Sequence, residues 1–235
     1  MYNIKEDTFQ TTGRNLFTRD FVLVFLAYFV FIAANYALIP TLPIYFTKLG
    51  SNARQVGVLV GVMAVAALVS RFFVGGVLTK YSEKSAMLFG TLFFAVTFPA
   101  AIVFSGFWPL FGVRVFQGIA FACFHTAAFA YAVNIIPPAY RARGIAYFML
   151  APNLAMALAA PSGMFLFNQF GFTIFFLSCM GLSLCSFFLS WKVKGRKTII
   201  TPEQNIPVRN AFLPEWKIAV PATVNFLQIF VFGAL

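Results

Sequence analysis

Long stretches without a charged side chain constrain this chain more than any other feature. Two of them cover the 27 residues of 21–47 and the 48 residues of 144–191. A helix of the shorter length measures about 40 Å, whereas the hydrocarbon core of a bilayer is about 30 Å thick. Because no water reaches that core, the backbone of a spanning segment must bond within the chain, as it does in a helix. Both stretches therefore predict transmembrane helices.

The composition agrees with a membrane protein. Hydrophobic residues make up 61% of the 235 residues and charged residues 10%, against about 45–50% and 25% in a soluble domain. The short alternating strands that are typical of a membrane barrel are not found in the sequence. The sequence therefore predicts an all-α fold, a polytopic membrane helical bundle.

Six spans fit the apolar pattern. They cover residues 21–47, 55–78, 85–105 and 109–136, with two more inside 144–191 that are joined at residues 168–171. The predicted domains are an N-terminal tail (1–20), a six-helix bundle (21–193), an inter-bundle linker (194–215) and the start of a seventh transmembrane helix (216–235). We expect the chain to be the first part of a longer protein.

Lys and Arg are distributed unevenly between the two sides of the predicted membrane. Of the 17 basic residues, 13 fall in the tail, in the second and fourth connections and after the sixth span, whereas only Lys48 and Arg54 fall on the other side. By the positive-inside rule, the N-terminus and the linker are cytoplasmic in an integral plasma (inner) membrane protein. Membrane topology thus explains the net charge of +11, and no nucleic acid is expected as a partner.

Three motifs occur in a fixed order along the spans. Leu110, Arg114, Gln117 and Gly118 form an L-x-x-x-R-x-x-Q-G pattern in the fourth span. Residues 75–84, after the second span, resemble a G-x-L-A-D-R-x-G-R-K loop in which Thr79 replaces the Asp and Ser82 the second Gly, and Ala160 and Pro161 stand where a G-P pair would be. In this order the motifs resemble those of the major facilitator superfamily.

The resemblance implies a fold and a function. It implies a major-facilitator-like six-helix N-terminal half with inverted three-helix repeats, which works against a missing C-terminal half of the same polypeptide. The implied activity is secondary active transport of a small organic solute across the lipid bilayer by alternating access, with export as the direction and proton coupling left open. The implied cytoplasmic gate is formed by Gly75, Thr79, Lys80 and Lys84, together with Arg71, Arg141 and Arg143.

Polar residues inside spans are the candidates for a solute cavity. Arg114 and His125 are eleven residues apart and so share one face of the fourth span, and Gln117 flanks them. An ionised arginine costs about 2.5–3.5 kcal/mol at the centre of a span, so we expect Arg114 to face protein or water. In the first span, Tyr28 and Asn35 lie on one face with Tyr36 beside them. Asn35 either orients a ligand or bonds a neighbouring helix.

Two of these polar residues allow a second interpretation each. Arg71 lies about two turns from the second connection, so it either gates the cavity or extends to the headgroups along its own stem. His125 titrates in the range that suits a proton relay. A lone histidine in a helix is more often a hydrogen-bonded packing residue, and this alternative is favoured for His125.

Small residues at intervals of four predict close helix packing. Gly57 and Gly61 form a G-x-x-x-G pair in the second span, and Ala151, Ala155, Ala159 and Gly163 recur along the fifth, with Pro161 among them. Small side chains at this spacing allow backbones to approach closely. The resemblance implies that these two spans line the seam between the two bundles, whereas the alternative is packing inside one bundle.

No cofactor or metal site is predicted. His125 is the only histidine, and the three cysteines lie in apolar runs. The six acids fall outside the spans or at their ends, so this half is expected to hold no buried carboxylate for proton exchange; they are Glu6, Asp7, Asp20, Glu83, Glu203 and Glu215.

An enzyme is not expected, but an intramembrane serine protease is the rival class. Ser162 followed by Gly163, with His125 elsewhere, is its only starting point. Rhomboid-type enzymes place a G-x-S-G serine before the histidine, whereas here the histidine comes first and the motif reads A-P-S-G. A non-transporting membrane scaffold is the other alternative.

Overall fold

The computed structural model describes residues 17–195, without the side chains of Val77, Thr79 and Lys80. The predicted tail up to residue 16, the linker from residue 196 and the predicted seventh helix (216–235) lie outside the described residues. Within them the chain is helical and has no strand. The helices are α1 (Arg19–Lys48), α2 (Ala53–Lys80), α3 (Glu83–Val103), α4 (Phe107–Ile135), α5 (Arg141–Phe148) and α6 (Leu150–Lys192).

Five of the described helical segments are long and apolar enough to cross a membrane. The last of them breaks at Gly171, where φ is 79° and ψ is −178°. The break divides α6 into a first arm (150–170) and a second arm (172–192), each about 30 Å long at the rise of an α-helix. It falls at the last residue of the predicted connection 168–171, so the bundle has six segments of membrane-spanning length.

Replacing Gly171 with alanine should destabilise the bundle. Only glycine adopts this backbone region without strain, so the substitution should cost about 1–2 kcal/mol. We expect an apparent melting temperature in detergent lower by about 5 °C. Gly181→Ala on the second arm is the matched control, since nothing lies within 4 Å of an added Cβ and its φ is not positive. Equal melting of the two variants would show that Gly171 is not required for the turn.

The spanning segments alternate in direction between two ends of the bundle. At one end Tyr45, near the end of α1, donates a hydrogen bond from its hydroxyl to the Ala101 carbonyl in α3, at 2.7 Å. The Lys48 ammonium lies 5.2 Å from the ring centres of Phe167 and Phe172, which flank the break in α6. The other end carries Arg19, Lys84, Arg141, Arg143, Lys192 and Lys194, and we call it the basic end.

The three segments α1–α3 are related to α4 and the two arms of α6 by their packing partners. On one side α4 packs against α2 and, through Gly90, against α3, where a Cβ on Gly90 would lie 2.8 Å from the Cβ of Phe124. On the other side α1 packs against the first arm, where a Cβ on Gly163 would lie 2.8 Å from the Cβ of Ala37. The contact between α4 and α2 therefore corresponds to the contact between α1 and the first arm, if α1 is matched with α4 and α2 with the first arm.

Two serine hydroxyls complete this pattern on the second arm. Ser186 donates to the Ala27 carbonyl in α1 at 2.8 Å, and Ser183 donates to the Thr91 carbonyl in α3 at 2.9 Å. The second arm therefore packs against α1 in the same way that α3 packs against α4. The second arm and α3, which correspond to each other in this comparison, are also in contact. This pairing is that of the inverted three-helix repeats implied by the resemblance.

At the basic end, two buried side chains, Glu83 and Tyr131, make polar contacts. Glu83, the first residue of α3, is 3% exposed and accepts a hydrogen bond from Asn134 Nδ2 at 2.5 Å. Nearby, the Tyr131 hydroxyl donates to the Lys194 carbonyl at 2.9 Å, and Val193 is buried. These contacts fix the start of α3 and the end of the second arm to the last turns of α4.

The connection before the first arm differs from the predicted loop. Pro137 is followed by a 3₁₀ turn (Pro138–Tyr140) and by α5, a helix of 8 residues. Proline favours the first turn of a helix because its missing N–H is not needed there. Gly144 permits α5 to fold back, since a Cβ there would lie 2.8 Å from the Ile136 side chain.

Candidate functional site

Arg114 lies in the second turn of α4 and joins it to α2. Its side chain is 6% exposed. Nε donates to the Leu59 carbonyl at 2.9 Å, Nη2 reaches the Val60 carbonyl at 3.4 Å, and Nη1 donates to Gln117 Oε1. The sequence prediction that Arg114 faces protein rather than lipid is therefore correct. Gln117, one turn further along α4, orients the guanidinium.

Gly118 explains the last position of the arginine motif. A Cβ at this position would lie 2.8 Å from the Ala66 Cβ and 3.1 Å from the Ala67 backbone nitrogen, both in α2. Only a residue without a side chain permits the two helices to approach this closely. This approach brings the α2 carbonyls within hydrogen-bonding distance of Arg114.

Arg114 also borders a cavity of about 220 Å³ between α1, α2 and α4. The other polar group at its wall is the Asn35 amide. The remaining lining residues are apolar: Leu38, Ile39, Leu42, Val60, Met63, Ala64, Ala67 and Phe121. Such a wall, apolar with a few convergent polar groups, is typical of small-molecule sites.

A second polar group lies deeper, toward the basic end. The Tyr28 hydroxyl and His125 Nε2 are 2.9 Å apart and share a hydrogen bond. The His125 ring packs against Phe121, with 5.4 Å between the ring centres. Arg71, exposed on α2, is close enough for its charge to act on both Tyr28 and His125.

The predicted cavity residues therefore separate into two groups. Asn35 and Arg114 line the cavity, and Gln117 accepts a hydrogen bond from Arg114 without lining the cavity itself. Tyr28 and His125 form the deeper pair, and Tyr36 is half-buried on the same helix as Tyr28. His125 is hydrogen-bonded and packed, as its alternative interpretation requires.

The predicted gate residues lie toward the basic end. Gly75 is exposed, and so are Arg141 and Arg143 on α5. Lys84 is half-buried, and its stem passes close to Gly195. The side chains of Thr79 and Lys80 lie outside the described part of the chain.

Close packing of Gly57, Gly61 and Pro161 is not found inside the described bundle, and their place at the seam between two bundles stays a prediction. Nothing within 4 Å would meet a Cβ on Gly57 or Gly61, because α2 turns Leu59, Met63 and Ala67 toward its neighbours and these glycines face the other way. Pro161 is exposed because it lies across the first arm from Ala159 and Gly163.

The regular stripe of small residues in the first arm does pack closely. Ala151, Ala155, Ala159 and Gly163 are all buried. Since Gly163 meets Ala37 of α1, the stripe packs inside this bundle. Among the described residues, the alternative of packing within one bundle therefore applies to the first arm.

This half was expected to hold no buried carboxylate for proton exchange, but Glu83 at the start of α3 is buried. Glu83 follows Ser82, whose hydroxyl caps α3 by accepting from the Ser85 N–H at 3.2 Å. The cap places Glu83 at the first helical position, where α4 covers it. A residue at the end of a span in the sequence is thus buried by the neighbouring helix.

The geometry defines a class of protein. Helices of membrane-spanning length line a small, partly polar cavity beside a buried arginine, as expected for a membrane protein that handles a small solute. The family model described as Major Facilitator Superfamily matches residues 24–235. The chain belongs to the major facilitator superfamily, and it is an integral membrane transporter.

Proposed function

We propose that this transporter is a secondary active carrier that exports a small organic solute across the plasma membrane by alternating access. The observation that carries the proposal is the cavity at Arg114, between α1, α2 and α4. Its volume of about 220 Å³ suits a small molecule, and its mixed wall suits one with both polar and apolar parts. In this proposal the basic end faces the cytoplasm.

The gate is proposed at the basic end. Arg71 and Gly75 are exposed on the part of α2 that leads there, and Arg141 and Arg143 are exposed on α5. A second bundle would close the cavity from the exposed side of α2, where Gly57 and Gly61 offer a smooth surface. Rocking of the two bundles would then expose the cavity to each side in turn.

The protease alternative lacks the required geometry. The Ser162 hydroxyl donates to the Leu158 carbonyl of its own helix at 2.6 Å, while His125 bonds Tyr28. A serine protease needs its nucleophile and base within hydrogen-bond reach of one another. Neither residue has the other as a partner in the described bundle.

Alternating access can be tested by cysteine labelling of the complete gene product in proteoliposomes. Cys123 and Cys185 are replaced by serine, and Asn35→Cys is probed with a membrane-impermeant maleimide from each side. We expect Asn35→Cys to react from both sides and each rate to change when solute is added. Leu92→Cys, exposed on α3 away from the cavity, is the control and should stay unreactive. Labelling from one side only, whatever the solute, would favour a static scaffold.

Proton coupling stays a prediction from the sequence, and His125 is the residue proposed to carry it. The titratable groups that act on its surroundings are Tyr28 of α1 and Arg71 of α2. The measurement is solute flux as a function of pH in the wild type and in His125→Gln. We expect a pH dependence that disappears with the imidazole. An unchanged profile would leave His125 with its packing role alone.

A further inference from the structure

The charge on Arg114 has no counter-ion in the described bundle. Its three hydrogen bonds go to the Leu59 and Val60 carbonyls and to the Gln117 amide, all of them neutral acceptors. A guanidinium has five N–H donors, so two remain beyond these bonds. Buried charges in proteins are normally paired with an opposite charge.

The acidic residues of the described part lie far from Arg114. They are Asp20 and Glu83, in the first turns of α1 and α3 at the basic end. Glu83 bonds Asn134, which lies twenty residues along α4 from Arg114, a distance of about 30 Å. Neither carboxylate can therefore neutralise Arg114.

The other ionisable groups near the cavity add no negative charge. Arg71 is cationic, and His125 and Tyr28 share a hydrogen bond with each other. Asn35 presents a neutral amide at the cavity wall, and the rest of the lining is apolar. The wall of the cavity is thus positively charged at Arg114, polar at Asn35 and apolar elsewhere.

We propose that the transported solute is an organic anion, with a carboxylate, sulfonate or similar headgroup. This assignment rests on the transport function proposed above and names the class of its substrate. The headgroup accepts hydrogen bonds from the two remaining N–H donors of Arg114 and from the Asn35 amide. The apolar body lies against Leu38 of α1 and Phe121 of α4, which both line the cavity.

The arrangement explains why the guanidinium is bonded to main-chain oxygens. Carbonyl acceptors hold its plane in place without removing its charge, so the attraction for an anion is retained. A carboxylate in the same position would have neutralised the site and favoured a cation. Arginine presents paired N–H groups that match an oxyanion in a planar fork.

The test compares three small phenyl compounds that differ in the charge of their headgroup. Benzenesulfonate is a permanent anion, phenyltrimethylammonium a permanent cation and benzamide is neutral. Their affinities for the purified complete gene product are measured by thermal shift and by calorimetry. We expect benzenesulfonate to bind about ten-fold more tightly than either of the other two, because hydrogen bonds to a charged group are the stronger ones.

Two variants assign that preference to the cavity. Arg114→Gln should abolish the ten-fold preference for benzenesulfonate. Arg54→Gln is the matched control, since Arg54 is exposed outside the cavity lining, and it should retain the preference. Tighter or equal binding of phenyltrimethylammonium in the wild type, or an anion preference that survives in Arg114→Gln, overturns the proposal.

Flux of the same probes separates the two proposals. Selective binding of benzenesulfonate without any flux in proteoliposomes would support the anion site and contradict the transport function. Flux of phenyltrimethylammonium in preference to benzenesulfonate would support transport and contradict the anion site. Flux of benzenesulfonate that is lost in Arg114→Gln supports both.

Discussion

Replacing Gly118 with valine should destabilise the bundle by about 3 kcal/mol, because an overpacked helix contact forces the backbones apart. Atoms of α2 lie too close to admit even a methyl group: a Cβ would meet the Ala66 Cβ at 2.8 Å. The apparent melting temperature in detergent should fall by about 10 °C.

Gly112→Val provides the control for this substitution. Gly112 lies on the same helix, and nothing within 4 Å would meet its Cβ. We expect its melting temperature to stay within about 2 °C of the wild type. If the Gly118→Val and Gly112→Val variants had the same melting temperature, the close approach of α2 and α4 would not be a requirement of the fold.

Replacing Arg114 with lysine should reduce solute flux by about ten-fold or more, although the positive charge is kept. A lysine ammonium is a compact point charge and cannot reach the Leu59 and Val60 carbonyls and Gln117 at once in the planar arrangement of the guanidinium. Each hydrogen bond to a charged group contributes about 1.5–3 kcal/mol, and a loss of 1.4 kcal/mol corresponds to a factor of ten.

The measurement is initial flux into proteoliposomes at equal protein content. Arg54→Lys, an exposed arginine outside the cavity lining, should behave as the wild type. Retention of more than half of the flux in Arg114→Lys would falsify the positioning role of the guanidinium and leave only its charge.

The positions of the helices could be predicted from the sequence because they depend on local properties. A run of uncharged residues longer than the bilayer is thick must form a helix, wherever its neighbours lie. The observed α1 (Arg19–Lys48) exceeds the predicted span by two residues at its start and one at its end. Gly171 falls where the 48-residue apolar stretch had to turn.

The contacts between helices could be predicted only in part. That Arg114 is buried follows from the cost of exposing it to lipid. Its partners are main-chain carbonyls of Leu59 and Val60, and every residue has such a carbonyl, so no pattern of side chains identifies them. The presence of Gly118 beside the arginine was the available signal for a close approach.

The orientation of each helix about its own axis could not be predicted from the sequence. The spacing of Gly57 and Gly61 predicts a small-residue face, but it does not say whether that face meets a neighbour. In α2 the apolar residues are spread around the helix, so hydropathy does not distinguish the two sides. Glu83 was misplaced for a related reason, since only the neighbouring α4 makes it buried.

The bond from Tyr131 to the Lys194 carbonyl has a mechanical consequence. Because Val193 is buried and Lys194 is tied to α4, the end of the second arm and the last turns of α4 are held together. A displacement of one is therefore transmitted to the other through packed side chains and a hydrogen bond. Tyr131→Phe would remove this hydrogen bond and weaken the transmission.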